Sequence, residues 1–247
     1  MIKIFKPISI FLISFVLLFQ ITACEEIDSV LKSNDLSNEE IVEGLKSALT
    51  VGTDTSVKIL SAVDGYYKDA LVKISLPQEA QIIISNISKV PGGNLLIDNA
   101  VLAINRAAED AAVKATPIFV NAITHISITD GLSILNGKDD AATQYLKTAT
   151  YDSLKLAFMP EIKASLSKKL VGNVSAESTY KALIDAYNTA SLNGVLFPKV
   201  TTNSLSEHTT KKGLDGLFVK VALEEGNIRN DVAHRVNDIL QKVFSKQ

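Results

Sequence analysis

The chain has 247 residues with 25 basic and 27 acidic side chains, a formal charge of −2 that gives no electrostatic reason to expect nucleic acid or an anionic lipid surface as a partner. Nearly half of the residues are hydrophobic, tryptophan is absent and there are six prolines, a composition that points to a well-packed helical protein. The single cysteine excludes a disulfide framework within the chain.

Lys3 and Lys6 precede an apolar run from Ile8 to Phe19 that is interrupted only by Ser9 and Ser14, and Ile21-Thr22-Ala23-Cys24 follows. A basic start, a short apolar core and a small-residue cleavage site read as a signal peptide over residues 1–23, and the run is short for a permanent membrane span. The tetrapeptide resembles the lipobox of bacterial lipoproteins, which implies that Cys24 is acylated and becomes the new N-terminus. Lipidation would consume the lone thiol. Two or three acyl chains would anchor the protein stably, at about 0.8 kcal/mol per buried methylene. The alternatives are an uncleaved anchor or an ordinary signal peptide with a chance cysteine. Residues 24–36, acidic at Glu25 and Glu26, form a tether or a short helix, and residues 37–247 form the helical domain.

Ser37 with Glu40 makes a capping box, and Leu36 with Ile41 has staple spacing, so a helix begins here. Ile41, Leu45, Leu49, Gly52, Ser56, Ile59 and Val63 recur at helical spacing, with small residues that let another helix approach closely. Val63-Asp64-Gly65-Tyr66-Tyr67 reads as a turn. Val72, Ile74 and Leu76 alternate as a brief extended piece, the only strand signal of note. Pro77 starts a helix to about Val90, and Pro91-Gly92-Gly93 breaks it. Ile97, Val101, Ile104, Ala108, Ala111 and Ala115 form a seam that narrows to alanine, and Pro117 starts the next helix with Phe119, Ile123 and Ile126 on one side.

Asp130 or Thr129 can cap a short helix ending at Asn136-Gly137, and Asp139 can cap a longer one through Tyr145, Leu146 and Leu154. Further helices fit Pro160 to Val171, Ala176 to Leu192, Leu205 to Glu225 and Asn227 to Phe244, with Val195 to Val200 extended around Pro198. The expected fold is all-α: one multi-helix domain of about eight to ten helices, with at most one short extended or strand pair.

Val63-Asp64-Gly65-Tyr66, Ile74-Ser75-Leu76-Pro77, Asn105-Arg106-Ala107-Ala108-Glu109, Ile134-Leu135-Asn136-Gly137, Asp139-Asp140-Ala141-Ala142-Thr143 and Gly213-Leu214-Asp215-Gly216-Leu217-Phe218 together resemble a bacterial family known only as domain of unknown function 4197. The likeness runs from about Leu36 to Phe244. It implies a helical exported domain and supplies no activity, so no catalytic residue carries over.

Asn105, Arg106 and Glu109 are the most interesting polar group, since they sit beside the alanine seam. Arg106 can pair with Glu109 or Asp110 within a turn, or present its planar fork to a carboxylate or phosphate of a ligand. Asp215, Glu224, Glu225 and Arg229 could line one cleft with Arg106 if the last long helices pack on residues 97–115, and Tyr66 and Tyr67 could border it. Asp139 and Asp140 fit capping better than a calcium loop, whose alternating oxygen ligands and closing glutamate are absent. His125, His208 and His234 stand far apart without metal-ligand spacing, and no serine elbow, phosphate loop or dinucleotide fingerprint occurs. No cofactor or metal is implied. The expectation is a lipid-anchored envelope protein facing the periplasm or the cell surface. It would bind an envelope protein or a small ligand rather than catalyse. The alternatives are a hydrolase-like enzyme using a carboxylate and arginine cleft, and a structural assembly factor.

Overall fold

The computed structural model describes residues 36–87, 90, 92–201 and 205–245. The signal sequence, Cys24 and most of the tether lie outside the described residues. Within them there are nine α-helices and no named strand, one helical domain as the sequence predicts. None of the described helices is long and apolar enough to cross a membrane.

Helix α1 spans Asn38–Leu60 and opens with the predicted capping box, in which Ser37 accepts from the Glu40 N–H and the Glu40 carboxylate accepts from the Ser37 N–H. Its stripe is buried at Ile41, Leu45, Leu49, Gly52 and Ser56, but Leu60 rather than Ile59 completes it. Val63 lies beyond the helix and is exposed. A run of turns follows, and a Cβ at Gly65 would collide with the Ile59 and Leu60 carbonyls, so only glycine lets the chain fold back here.

The helix expected over Pro77 to Val90 is shorter. A single 3-10 turn over Gln78–Ala80 leads into α2, Gln81–Asn86. Three consecutive isoleucines are poor helix formers, which accounts for the early stop. Helix α3, Gly93–Ala112, follows the glycine break, and Gly92 has φ 67°. Its alanine end is buried nearly all round, because Ala103, Ala107, Ala108 and Ala111 let neighbours close in from more than one side.

Helix α4, Ala115–His125, begins two residues before Pro117, which falls within the first turn where its missing N–H has no helical acceptor to lose. Asp130 caps α5, Gly131–Leu135, by accepting from the Ser133 N–H. Residues expected as two helices around Pro160 form one, α6, Ala141–Ser167. Pro160 sits on the exposed side, where the carbonyl it leaves unpaired can meet water. Helix α7 is Ala176–Ala190, capped by Ser175.

Helix α8, Leu205–Asn230, runs through Gly226, so the predicted break there is absent. The real end is made by Arg235, which donates to the Ile228 and Arg229 carbonyls, and α9 is only Asp238–Phe244. The core centres on α8, which packs against α1 and α6, while α3 packs against α6 and α7. Gly52 of α1 faces Val221 and Glu224 of α8, the close approach that its small side chain predicts.

Candidate functional site

Asn105, Arg106 and Glu109 act on the connection between α1 and α2. Asn105 is fully buried and its amide pairs with both backbone groups of Ile74, accepting from the N–H at 2.9 Å and donating to the carbonyl at 2.8 Å. This is why Val72 to Leu76 reads as a strand yet pairs with no other strand. One Glu109 oxygen accepts from the Tyr66 and Tyr67 N–H groups, each at 3.1 Å, and the other takes Arg106 at 2.5 Å. The second arm of Arg106 reaches Asp64 at 2.7 Å. The sequence missed Asp64, because it lies 42 residues away in the chain. Two carboxylates each take one terminal nitrogen of the arginine, so its charge is balanced within the fold.

Glu225 and Arg229 close another part of the fold. Glu225 accepts from the Ala142 N–H at 3.0 Å, from the Thr143 N–H at 2.7 Å and from the Thr143 hydroxyl at 2.6 Å, so it caps the start of α6. Asp139 and Asp140 were expected in that role. Instead Asp140 accepts from the side chain of Gln144, and no side-chain cap comes from it. Arg229 donates to Glu225 through Nε and a terminal nitrogen and reaches the carbonyls of Leu135 at 2.6 Å and Ile134 at 3.2 Å, capping the end of α5. The pair is almost wholly buried. It joins the positive N-terminus of one helix to the negative C-terminus of the preceding one.

Asp215 stands apart. It lies ten residues from Glu225, about 15 Å along α8, and accepts from the Tyr151 hydroxyl at 3.0 Å and from Lys147 at 3.4 Å. The single cleft imagined for Arg106, Asp215, Glu225 and Arg229 is therefore replaced by three separate networks. Burial, with the Asp215 charge behind it, pushes the Tyr151 phenol well above its ordinary value, so it stays protonated and serves as a donor. The Lys147 ammonium sits 5.5 Å from the centres of both the Tyr151 and Phe218 rings.

Lys147 also lines a groove of 450 Å³ between α6 and α8. Phe218, Val219, Ala222 and Leu223 form the α8 wall, Asp140 and Gln144 flank Lys147 on α6, and Leu71 closes one end. Leu71 and Leu223 are exposed, the former by 68%. An apolar trough with the Lys147 ammonium and the Asp140 carboxylate in its lining can hold an apolar group that carries a polar end. The sequence names Asp215 but misses Lys147, Tyr151, Leu71 and Leu223, whose convergence depends on how α6 and the turn after α1 meet α8.

A larger groove of 520 Å³ lies along α7, with Tyr180, Ile184, Val200 and Leu205 in its lining and mixed charges at Glu177, Lys181, Asp185 and Lys199. Asn188 in this wall holds Val200 by both backbone groups, as Asn105 holds Ile74. Burial and the Glu79 charge push the Tyr180 phenol up to about 12.

The three histidines remain separate. His125 contacts the Asn121 carbonyl, His208 the Ser75 carbonyl and His234 the Glu224 carboxylate. Among the described residues no three histidine, cysteine or acidic side chains gather where they could hold a metal ion.

Nothing among curated proteins and nothing among solved structures matches this chain. A family model described as a protein of unknown function (DUF4197) matches residues 35–245. That span holds every described helix and all three networks, and the chain belongs to this family.

Proposed function

We propose that the protein is a cell-envelope lipoprotein whose helical domain is a binding module, working through the groove between α6 and α8. The observation that carries the reading is the groove itself. Asn105, Arg106, Glu109, Glu225 and Arg229 are taken up by backbone and ion-pair partners of the fold, whereas Lys147, which Asp215 holds, lines the groove among exposed apolar side chains that have no partner layer over them. The paired lysine suits recognition of a polar end beside an apolar group better than proton transfer. The ligand class is accordingly an apolar side-chain cluster of an envelope protein, or a small amphiphile.

The test is a photo-crosslinking residue in place of Val219 in intact cells, followed by mass spectrometry of the adducts. A reproducible adduct that disappears with Leu223→Asp supports the groove, and adducts indifferent to that change overturn it. The anchor is tested separately by metabolic labelling with a fatty-acid analogue. The wild type should carry label that Cys24→Ala loses, and an unlabelled wild type that still sediments with membranes would refute acylation.

A further inference from the structure

Glu109 and Asp110 are consecutive on α3, and they hold loops that lie far apart in the chain. Glu109 accepts from the backbone of Tyr66 and Tyr67 in the turns after α1. Asp110 accepts from Ser165 and Lys168 at the end of α6. There the chain enters a tight hairpin, in which Val171 and Val174 form an antiparallel bridge and Gly172 and Asn173 have φ of 54° and 64°. Both loops are therefore tied to the C-terminal end of α3, near Val113 and Lys114 where α3 passes into α4.

Most carboxylates of this end are engaged by cations, Asp64 by Arg106 and Lys68, Glu109 by Arg106, and Asp110 by Lys168, while Glu177 accepts from the Ser167 hydroxyl. Lys73, Lys114 and Lys169 have no carboxylate at ion-pair distance among the described residues. Lys73 lies 4.2 Å over the Tyr67 ring instead. The same loops carry exposed aliphatic side chains, Val63 at 78% and, on the hairpin, Leu170 and Val174. The opposite end of the domain has the reverse character, because Glu39, Glu43 and Asp130 are exposed around the start of α1. A net charge of −2 thus conceals a basic, apolar-studded end.

We propose that this end docks on an anionic lipid bilayer, with Leu170, Val174 and Val63 entering the headgroup layer and the lysines lying against phosphates. A bilayer is negative at its surface and apolar just beneath, which matches cations alternating with protruding aliphatics. Nucleic acid matches only the cations. The inference does not rest on acylation of Cys24 or on what the groove binds.

The experiment uses the full chain with Cys24→Ala and Leu170→Cys, labelled with a polarity-sensitive dye and mixed with vesicles. The dye should shift to the blue on phosphatidylglycerol–phosphatidylcholine vesicles and stay unshifted on phosphatidylcholine alone. Each lysine near the surface contributes about fivefold in affinity, so Lys73→Gln with Lys169→Gln should weaken the response by about 25-fold. The same dye at Leu132→Cys, at the acidic end, should stay in water. Equal shifts at both positions would show that the N-terminal segment, not this end, meets the bilayer and would overturn the proposal. So would a water-like spectrum at position 170 on anionic vesicles, or a response to polyglutamate without one to vesicles, which would make the end a surface for acidic protein.

Discussion

Asn105 and Asn188 perform one task in two places, each using its amide to satisfy both the N–H and the carbonyl of a residue in an extended segment. A buried amide of this kind replaces the strand that a lone extended segment lacks. Charged side chains do similar work on helix ends. Arg229→Met leaves the Glu225 carboxylate buried without its cation, and unfolding experiments should show a loss of about 3–5 kcal/mol. A loss under about 1 kcal/mol would mean that backbone donors alone hold the carboxylate. Arg106→Ala removes hydrogen bonds to two carboxylates and should cost about 1–3 kcal/mol while leaving the Val219 crosslink unchanged. Loss of that crosslink without loss of stability would make Arg106 part of recognition. His234 is raised above its ordinary value of 6.5 by its bond to Glu224. A raised imidazole adds stability that is complete below 6.5 and fades as the pH climbs through its own value. Stability of the wild type should therefore fall on that rise relative to His234→Gln, which denaturation midpoints across the range would show.

The helices divide by how local their signals are. The capping box of α1 and the Asp130 cap of α5 depend on residues three apart, and both form as read. Pro160 predicts a boundary that α6 ignores, because the burial of Leu154, Phe158 and Ile162 on either side outweighs one lost hydrogen bond on the solvent face. Pro160→Ala should restore that bond and stabilise the chain by about 2 kcal/mol, part of the helix penalty being offset by a looser unfolded chain. A thermal midpoint that falls instead would show that the proline sets a bend the packing needs. Gly226 also fails to break α8, since its neighbours Glu224, Glu225 and Ile228 are all buried in contacts that continue the helix.

On the scale of the whole molecule, α8 touches α1, α3, α6 and α9 and supplies the acidic residue of both the Glu225–Arg229 and the Asp215–Lys147 networks. Its outer side at Val219 and Leu223 is left uncovered, which produces the groove. Leu223 is half exposed, so Leu223→Asp should change stability by less than about 0.5 kcal/mol while abolishing the crosslink at Val219. Unchanged crosslinking in a folded variant would move the binding surface elsewhere.

What the sequence by itself determined are features carried by near neighbours: an all-helical domain, its caps, the turn at Val63 to Tyr66, and an alanine seam on α3. Periodicity and capping act over a few residues and survive without knowledge of the partners. The tertiary structure alone decided where buried polar groups spend their hydrogen bonds. Glu225 displaces Asp139 and Asp140 as the cap of α6 from 82 residues away, and Asp64 finds Arg106 across 42. A buried donor must be paired wherever the fold brings an acceptor, so such pairings follow packing rather than spacing. For the same reason the candidates at positions 105, 106, 109, 225 and 229 became supports of the fold, and Asp215 alone is linked to an open groove, through its pair with Lys147.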